Sequence, residues 1–165
     1  MPILMKPVSA MEKCFMDEAY ESKKAISRGT ALRGEEFCFE IAYTSDEPAH
    51  HPKAVCTLAV DSPIAEYVNI AKIEQVPGMY PDLLIPAKPG ALMFVTYGEL
   101  KSLFVSVKVP ADLAGGDYPI TIRFMAGENI AAEAALTLHV IAAELPAQNF
   151  TVTRWFHTDC LADYY

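Results

Sequence analysis

The sequence predicts an all-β protein, an immunoglobulin-like antiparallel β-sandwich. Apolar and polar residues alternate in several short segments, and a period of two is typical of strands that bury one face. The 12 prolines and 8 glycines mark turns between these segments at short spacing, which is typical of sandwiches. No stretch shows a convincing helical period. With 165 residues, 52% of them hydrophobic, the chain can bury roughly 70% of its unfolded surface in one core.

The first 34 residues carry the weakest pattern. We expect a strand over 8–15, although residues 11–24 also fit one or two turns of amphipathic helix. The next segment, 36–43, alternates clearly: its odd-numbered positions are large and apolar, and its even-numbered positions include glutamates. This pattern predicts a half-buried strand. A further strand is predicted over 54–60, after a polar loop that contains proline.

The rest of the chain continues the strand pattern. The apolar phase slips near Ala71-Lys72, which indicates a bulge or bend. The paired glycines Gly115-Gly116 predict a hairpin turn, because glycine adopts positive φ without steric cost. A second turn is predicted at 126–129. The remaining predicted strands are 66–76, 103–109, 118–124 and 136–140.

The domain organisation follows from the C-terminal pattern. We expect the sandwich domain to span residues 1–143. Residues 144–149 are predicted to be a linker, because Pro146 cannot continue a strand ladder. Residues 150–165 begin with alternation and end in an aromatic segment. We predict that they form the first strand of a further, C-terminal domain, so that this chain is the front part of a longer protein.

Charge and composition exclude several classes of partner. A net charge of −8, from 21 acidic and 13 basic residues, argues against nucleic acid or an anionic membrane surface, since both attract basic patches. The N-terminus lacks the features of a secretory signal, so either the protein is cytoplasmic, as we expect, or a leader was removed from it. The four cysteines form no CxxC pair, which favours free thiols in a reducing compartment.

One group of candidate substrate-binding residues lies near the C-terminus. Trp155, His157 and Asp159 are two positions apart, so in a strand their side chains share a face. An aromatic platform beside a histidine and a carboxylate is an arrangement that holds a sugar or another polar ring. The alternative is that Trp155 packs in a core while the other two form a structural hydrogen bond. A metal site that adds Cys160 has unspecific spacing, so we expect no metal.

The second candidate is the segment 77–86, with three prolines and one glycine. This composition predicts a rigid loop outside the strand ladder, which would present Tyr80 and Asp82 to a substrate. The alternative is a connection that covers one end of the sandwich. His139 is interpreted as an outward-facing strand residue without a special role. No phosphate loop, dinucleotide fingerprint or GxSxG motif is present, and we expect no cofactor and no catalytic residue.

Several segments resemble a known family. They are Pro77-Gly-Met-Tyr-Pro-Asp-Leu-Leu-Ile-Pro86, the hairpin phrases 102–110 and 114–118, and the tail Arg154-Trp-Phe-His-Thr-Asp-Cys-Leu-Ala-Asp-Tyr-Tyr165. Together they are similar to the N-terminal sandwich and the first barrel strand of bacterial glycoside hydrolases of family 123, which are β-N-acetylgalactosaminidases, and of their uncharacterised relatives. The resemblance implies a β-sandwich followed by a (β/α)8 catalytic barrel.

The same resemblance implies where the chemistry lies. In that family the acetamido group of the sugar attacks the anomeric carbon, while an Asp orients it and a neighbouring Glu serves as acid/base, an exception to the scheme with two protein carboxylates. That Asp-Glu pair would belong to the barrel, and no pair in this chain matches it. Trp155, His157 and Asp159 match only the segment that enters the barrel, so the resemblance implies a place in the wall of the cleft.

The sequence therefore predicts a non-catalytic module of a glycoside hydrolase that acts on N-acetylhexosaminides, with the catalytic barrel of the same polypeptide as its partner. An autonomous carbohydrate-binding module or a protein-interaction domain is the alternative. A carbohydrate-binding module needs exposed coplanar aromatic residues, whereas the predicted outward positions are mostly Ser, Thr, Lys and Glu.

The C-terminal segment generates a first prediction. In this chain, residues 150–156 would form an unpaired strand, and open strand edges pair with other chains. We expect the 165-residue chain to self-associate through this segment. Sedimentation velocity over a concentration series should show a sedimentation coefficient that rises with concentration, and a strictly monomeric profile at high concentration would contradict the prediction.

Overall fold

The computed structural model describes residues 2–46 and 53–147, and these residues form ten strands and no α-helix. The strands are β1 (Ile3–Ser9), β2 (Arg28–Arg33), β3 (Glu36–Ser45), β4 (Lys53–Asp61), β5 (Val68–Val76), β6 (Tyr80–Ala87), β7 (Leu92–Thr96), β8 (Lys101–Lys108), β9 (Gly116–Ala126) and β10 (Asn129–Glu144). Single 3₁₀ turns lie at Tyr20–Ser22 and Ala65–Tyr67. The prediction of an all-β fold is confirmed.

The strands form two five-stranded sheets that pack face to face as a sandwich. Sheet A has the order β1-β3-β8-β5-β6, and sheet B has the order β2-β10-β9-β4-β7. Neighbouring strands are antiparallel, except that β2 and β10 are parallel. The predicted antiparallel β-sandwich is therefore confirmed, and the one parallel pair arises where β2 enters sheet B beside the last strand. Strand β6 is an edge of sheet A and pairs with β5 alone.

The core lies between the inner faces of the two sheets. Alternate residues of each strand point toward the other sheet, and Phe39 and Ile41 of β3 are fully buried there. Phe124 of β9 meets Tyr43 of β3 edge to face, with ring centroids 5.0 Å apart. The predicted strands at 36–43, 54–60, 66–76, 103–109, 118–124 and 136–140 overlap β3, β4, β5, β8, β9 and β10. The sequence pattern does not predict β2 or β7.

After β1 the chain leaves sheet A and crosses its outer face, the face turned away from sheet B. Residues 10–24, here called the strap, form this crossing. Cys14 of the strap is buried against Val8 and Ala42. The predicted strand over 8–15 is therefore wrong for most of its length, because Cys14 is buried against a sheet face and not by alternation within a ladder.

The segment 77–86 is mostly a strand, so the prediction of a loop outside the ladder is wrong. Gly78 turns the chain with a φ of 91°, and β6 then pairs antiparallel with β5. Its prolines are tolerated because an edge strand has a free side on which a missing N–H breaks no ladder. The register shift in β5 lies between Glu74 and Gln75, beyond the bulge predicted at Ala71-Lys72.

The core packing predicts a large stability loss for Phe124→Ala. Phe124 is fully buried and meets Tyr43, so truncation removes apolar contacts and leaves a cavity, at a cost of about 3–5 kcal/mol. Urea unfolding monitored by circular dichroism measures the free energy of unfolding. Leu92→Ala is the control, because Leu92 is exposed on β7 and its loss should cost less than about 1 kcal/mol. Equal losses for the two variants would contradict the assigned core.

Candidate functional site

Two of the five predicted binding residues lie in the described part of the chain. Tyr80 and Asp82 lie on β6. Trp155, His157 and Asp159 lie outside the described residues, as does the predicted strand that contains them. Their role stays a prediction.

Tyr80 and Asp82 both contact the strap and hold it to the edge of sheet A. Lys13 Nζ donates to Asp82 Oδ1 at 2.5 Å, and both side chains of this ion pair are well exposed. The Tyr80 ring meets Phe15 edge to face, with centroids 5.7 Å apart. Between the strap and β6 lies a groove over the outer face of sheet A. Asp82 lines this groove, whereas Tyr80 contacts the strap beside it.

The strap is also fixed by its own polar groups. Glu18 Oε2 accepts the backbone N–H of Phe15 at 2.9 Å and pairs with Lys23 Nζ at 2.6 Å. The hydrogen bond from Lys23 is the main reason that the pKa of Glu18 is lowered. Lys6 Nζ lies 4.0 Å from the centroid of the Tyr20 ring, which is a cation–π distance. The strap is thus anchored on sheet A at several points along its length.

Beneath the strap lies Glu40, a residue of β3 that the sequence pattern assigns to the outer face. Glu40 is only 5% exposed, and its Oε2 has no hydrogen-bond partner within the described residues. The hydroxyl of Ser102 on neighbouring β8 is also buried; it faces the Glu40 carboxyl and acts on it as a weak hydrogen-bond donor of poor geometry. Buried polar atoms are nearly always hydrogen-bonded in proteins, so such exceptions call for an explanation. The sequence analysis does not identify Glu40 as a site residue. The one local signal is Ala42, a small apolar residue on the same face of β3, which indicates that another segment covers this face.

Burial sets the ionisation of this region. It raises the pKa of Glu40 from 4.5 to about 7, because the charged form loses its hydration, while the Ser102 hydroxyl and the Lys13 ammonium act in the opposite direction. Burial, with a smaller effect from the Glu40 charge, raises the pKa of Cys14 to about 11. Cys14 is therefore a neutral thiol near pH 7 and a poor nucleophile. Glu40 changes charge close to neutral pH.

The groove has a volume of about 320 Å³, which lies within the range of small-molecule sites, roughly 300–1,000 Å³. Glu40 and Phe104 are directly opposite each other on β3 and β8, and both line the groove. It is also lined by Met11, Lys13, Ile73, Asp82 and Leu84. A second depression of about 350 Å³ shares Phe104 as a lining residue. The groove thus combines ionisable groups with an apolar wall.

A separate polar cluster lies on sheet B. Asp117 accepts hydrogen bonds from Arg28 at 2.8 and 3.2 Å, and its Oδ1 lies 2.5 Å from Nδ1 of His139. The hydrogen bond with His139 is the largest cause of the lowered pKa of Asp117. The interpretation of His139 as a residue without a special role overlooked this contact, because the partners are distant in sequence. The cluster is exposed and lines none of the grooves described above.

Other chemistry is limited in the part of the chain that is described. Cys14, Cys38 and Cys56 are free thiols. No group of three or more His, Cys, Asp or Glu side chains that could hold a metal ion occurs among residues 2–46 and 53–147. No helix within these residues is long and apolar enough to cross a membrane.

Comparison with known proteins gives a fold but no family. No family model matches the sequence, and no curated protein is significantly similar to it. The structure is similar to a family 123 glycoside hydrolase from Clostridium perfringens, with a TM-score of 0.61 and 13% identity over 88% of this chain. The chain spans only 28% of the length of that hydrolase. At this identity the likeness shows a shared β-sandwich fold.

Two further structures are less similar. The N-terminal domain of PorA gives a TM-score of 0.45 at 10% identity, over 85% of this chain and 99% of that domain. The sialic acid binding region of an adhesin from Streptococcus sanguinis SK1 gives 0.42 at 19% identity, over 85% of this chain and 30% of the adhesin chain. At such scores neither carries an argument.

The buried carboxyl group predicts how stability changes with pH. Because the folded state keeps the Glu40 proton up to about pH 7 and the unfolded state loses it near 4.5, the free energy of unfolding should fall as the pH rises through this window. Glu40→Gln cannot ionise, so it should be more stable than the wild type at pH 8, by on the order of 2 kcal/mol. The difference should shrink toward pH 4.5.

Urea unfolding at pH 4.5, 6 and 8 measures this difference. Comparing the two proteins at each pH cancels the contribution of other titrating groups. Glu36→Gln is the matched control, because Glu36 is on the same strand but exposed; its difference from the wild type should not follow the same pH course. A Glu40→Gln variant that is equally destabilised at every pH would refute the raised pKa of the buried carboxyl.

Proposed function

We propose that this chain is a non-catalytic β-sandwich module of a larger, cytoplasmic carbohydrate-processing protein, similar to glycoside hydrolases of family 123 and acting on N-acetylhexosaminides. In this proposal the module supports the catalytic barrel of the same polypeptide. The likeness to a segment amounting to 28% of the Clostridium perfringens hydrolase supports the proposal. The free thiols of the described cysteines fit the cytoplasm, which is a reducing compartment.

The observation that carries the docking role is the exposed apolar surface of β6. Leu83 and Ile85 are each 42% exposed, on an edge strand with one open side. They alternate with Asp82 and Leu84, which line the groove, so they point to the other side of the strand. Adjacent exposed apolar side chains on an edge mark a site of association with another protein surface. The barrel would cover Leu83 and Ile85, and Tyr80 would lie at the border of that contact.

The exposed aromatic residues favour this reading over an autonomous carbohydrate-binding module. Such a module needs several aromatic rings on one face. Tyr80 lies on β6 of sheet A, whereas Phe94 lies on β7 of sheet B and Tyr97 follows β7, so these three exposed rings are not carried by one sheet. A role of Trp155, His157 and Asp159 in the wall of the substrate cleft is part of the same proposal.

The size of the native polypeptide tests the existence of a barrel. Antibodies raised against this chain should detect a band of about 45 kDa or more in the source cells, since a barrel adds roughly 250 residues. A band near the 18.1 kDa of the chain itself would refute the proposal. Release of N-acetylgalactosamine from chromogenic β-linked substrates by the purified native protein would support the substrate class.

A pair of double variants tests the docking surface in the full-length protein. Leu83→Lys with Ile85→Lys should separate the unfolding of the two domains in calorimetry and reduce hydrolysis at least several-fold. Val55→Lys with Leu92→Lys is the matched control, because these two apolar side chains are also exposed but lie on sheet B. Equal effects of the two double variants, or none from the first, would rule out β6 as the docking surface.

A further inference from the structure

The groove between the strap and β6 is lined by a buried carboxyl group that is poorly hydrogen-bonded. Glu40 lines the groove, is 5% exposed, and has no hydrogen-bond partner for Oε2 within the described residues. A poorly satisfied buried acceptor destabilises the folded state, and more so when it is charged. A ligand N–H group that reaches the Glu40 carboxyl from the groove would offset that cost. The carboxyl therefore favours a ligand that is a hydrogen-bond donor.

The side chains beside Glu40 favour a ligand that combines a hydrocarbon part with a positive charge. Phe104 stands directly opposite Glu40 in the ladder, and an aromatic ring attracts a cation within about 6 Å of its centroid. Ile73 and Leu84 complete the apolar side of the groove. A carboxylate next to an aromatic ring and aliphatic side chains matches an ammonium group carried on a compact hydrocarbon.

The charges of the groove agree with this ligand class. Two carboxyl groups, Glu40 and Asp82, face one lysine, Lys13, in its lining, so a cation is attracted and an anion is repelled. Lys23, the other cation that lowers the pKa of Glu40, is paired with Glu18. Lys13 is itself an alkylammonium group that crosses from the strap to Asp82. Its exposure at the rim leaves it free to move aside when a free amine enters.

We propose that this groove is a binding site for a small primary amine, whose ammonium group bonds Glu40 and Asp82 while its hydrocarbon part packs on Phe104, Ile73 and Leu84. Lys13 competes with the ligand for Asp82. The proposal does not depend on a catalytic barrel, since every residue it uses lies in the sandwich or the strap.

The test titrates the ¹⁵N-labelled 165-residue chain with cyclohexylamine, followed by nuclear magnetic resonance. At pH 8, Glu40 is ionised because its raised pKa is about 7, while the amine is still protonated. Shifts should concentrate in the strap, β6 and the residues around Phe104 and saturate at millimolar ligand. Cyclohexanol has the same ring without the charge and should bind at least ten-fold more weakly.

Three variants separate the roles of the groups. Glu40→Gln, which we expect to be folded and more stable, should weaken amine binding at least ten-fold, and Asp82→Asn should weaken it several-fold. Lys13→Met removes the competing ammonium and should strengthen binding several-fold. Asp61→Asn is the control, because Asp61 pairs with Arg123 on sheet B; it should leave the affinity unchanged.

Several results would overturn the proposal. Equal affinity for cyclohexanol would make the groove a merely apolar pocket. Unchanged amine affinity in Glu40→Gln, or weaker amine binding in Lys13→Met, would contradict the proposed ammonium contacts. Absence of saturable shifts in a wild-type chain with a dispersed spectrum would mean that no site exists. None of these results bears on the native size or hydrolytic activity of the polypeptide, which test the proposed function separately.

Discussion

Burial of β3 on both faces is the constraint on which the rest of the structure depends. On the inner face, Phe39 and Ile41 are fully buried between the sheets. On the outer face, Glu40 and Ala42 are buried beneath the strap. If β3 were covered on its inner face alone, the Glu40 carboxyl would lie in water. The groove and the raised pKa of Glu40 therefore both follow from the strap, which covers the outer face of β3. The same strand thus fixes the core and the candidate site.

The sequence predicts correctly those strands that pack one face against the opposite sheet, because such packing requires apolar and polar residues to alternate. In β3, β8 and β9 one face meets the opposite sheet, and the alternation is plain. The strap gave no such signal, because Cys14 is buried by contact with residues far along the chain. For β6 the sequence predicts a loop, because Pro81 and Pro86 are equally common in loops. The position of β6 at a sheet edge explains why a strand tolerates both prolines.

The candidate site was predictable in part. Tyr80 and Asp82 were identified from composition, although for a loop, and both lie beside the groove. Glu40 escaped notice because glutamate on the outer face of a strand normally meets water, and nothing local shows that the strap covers it. The ion pair that closes the groove is exposed, and such pairs contribute only about 0–1 kcal/mol. Breaking this ion pair to open the rim therefore costs much less free energy than disturbing the core below.

The parallel pairing of β2 with β10 has a consequence for how the chain acquires its structure. Arg28 is aligned with Thr137, so sheet B joins two segments separated by most of the domain. Contacts between distant parts of a chain form slowly, because a long loop must be closed before they stabilise anything. During synthesis, β2 leaves the ribosome long before its partner exists. Until β10 has emerged, β2 has no partner in sheet B and β9 keeps one open edge, so the nascent chain is exposed to aggregation.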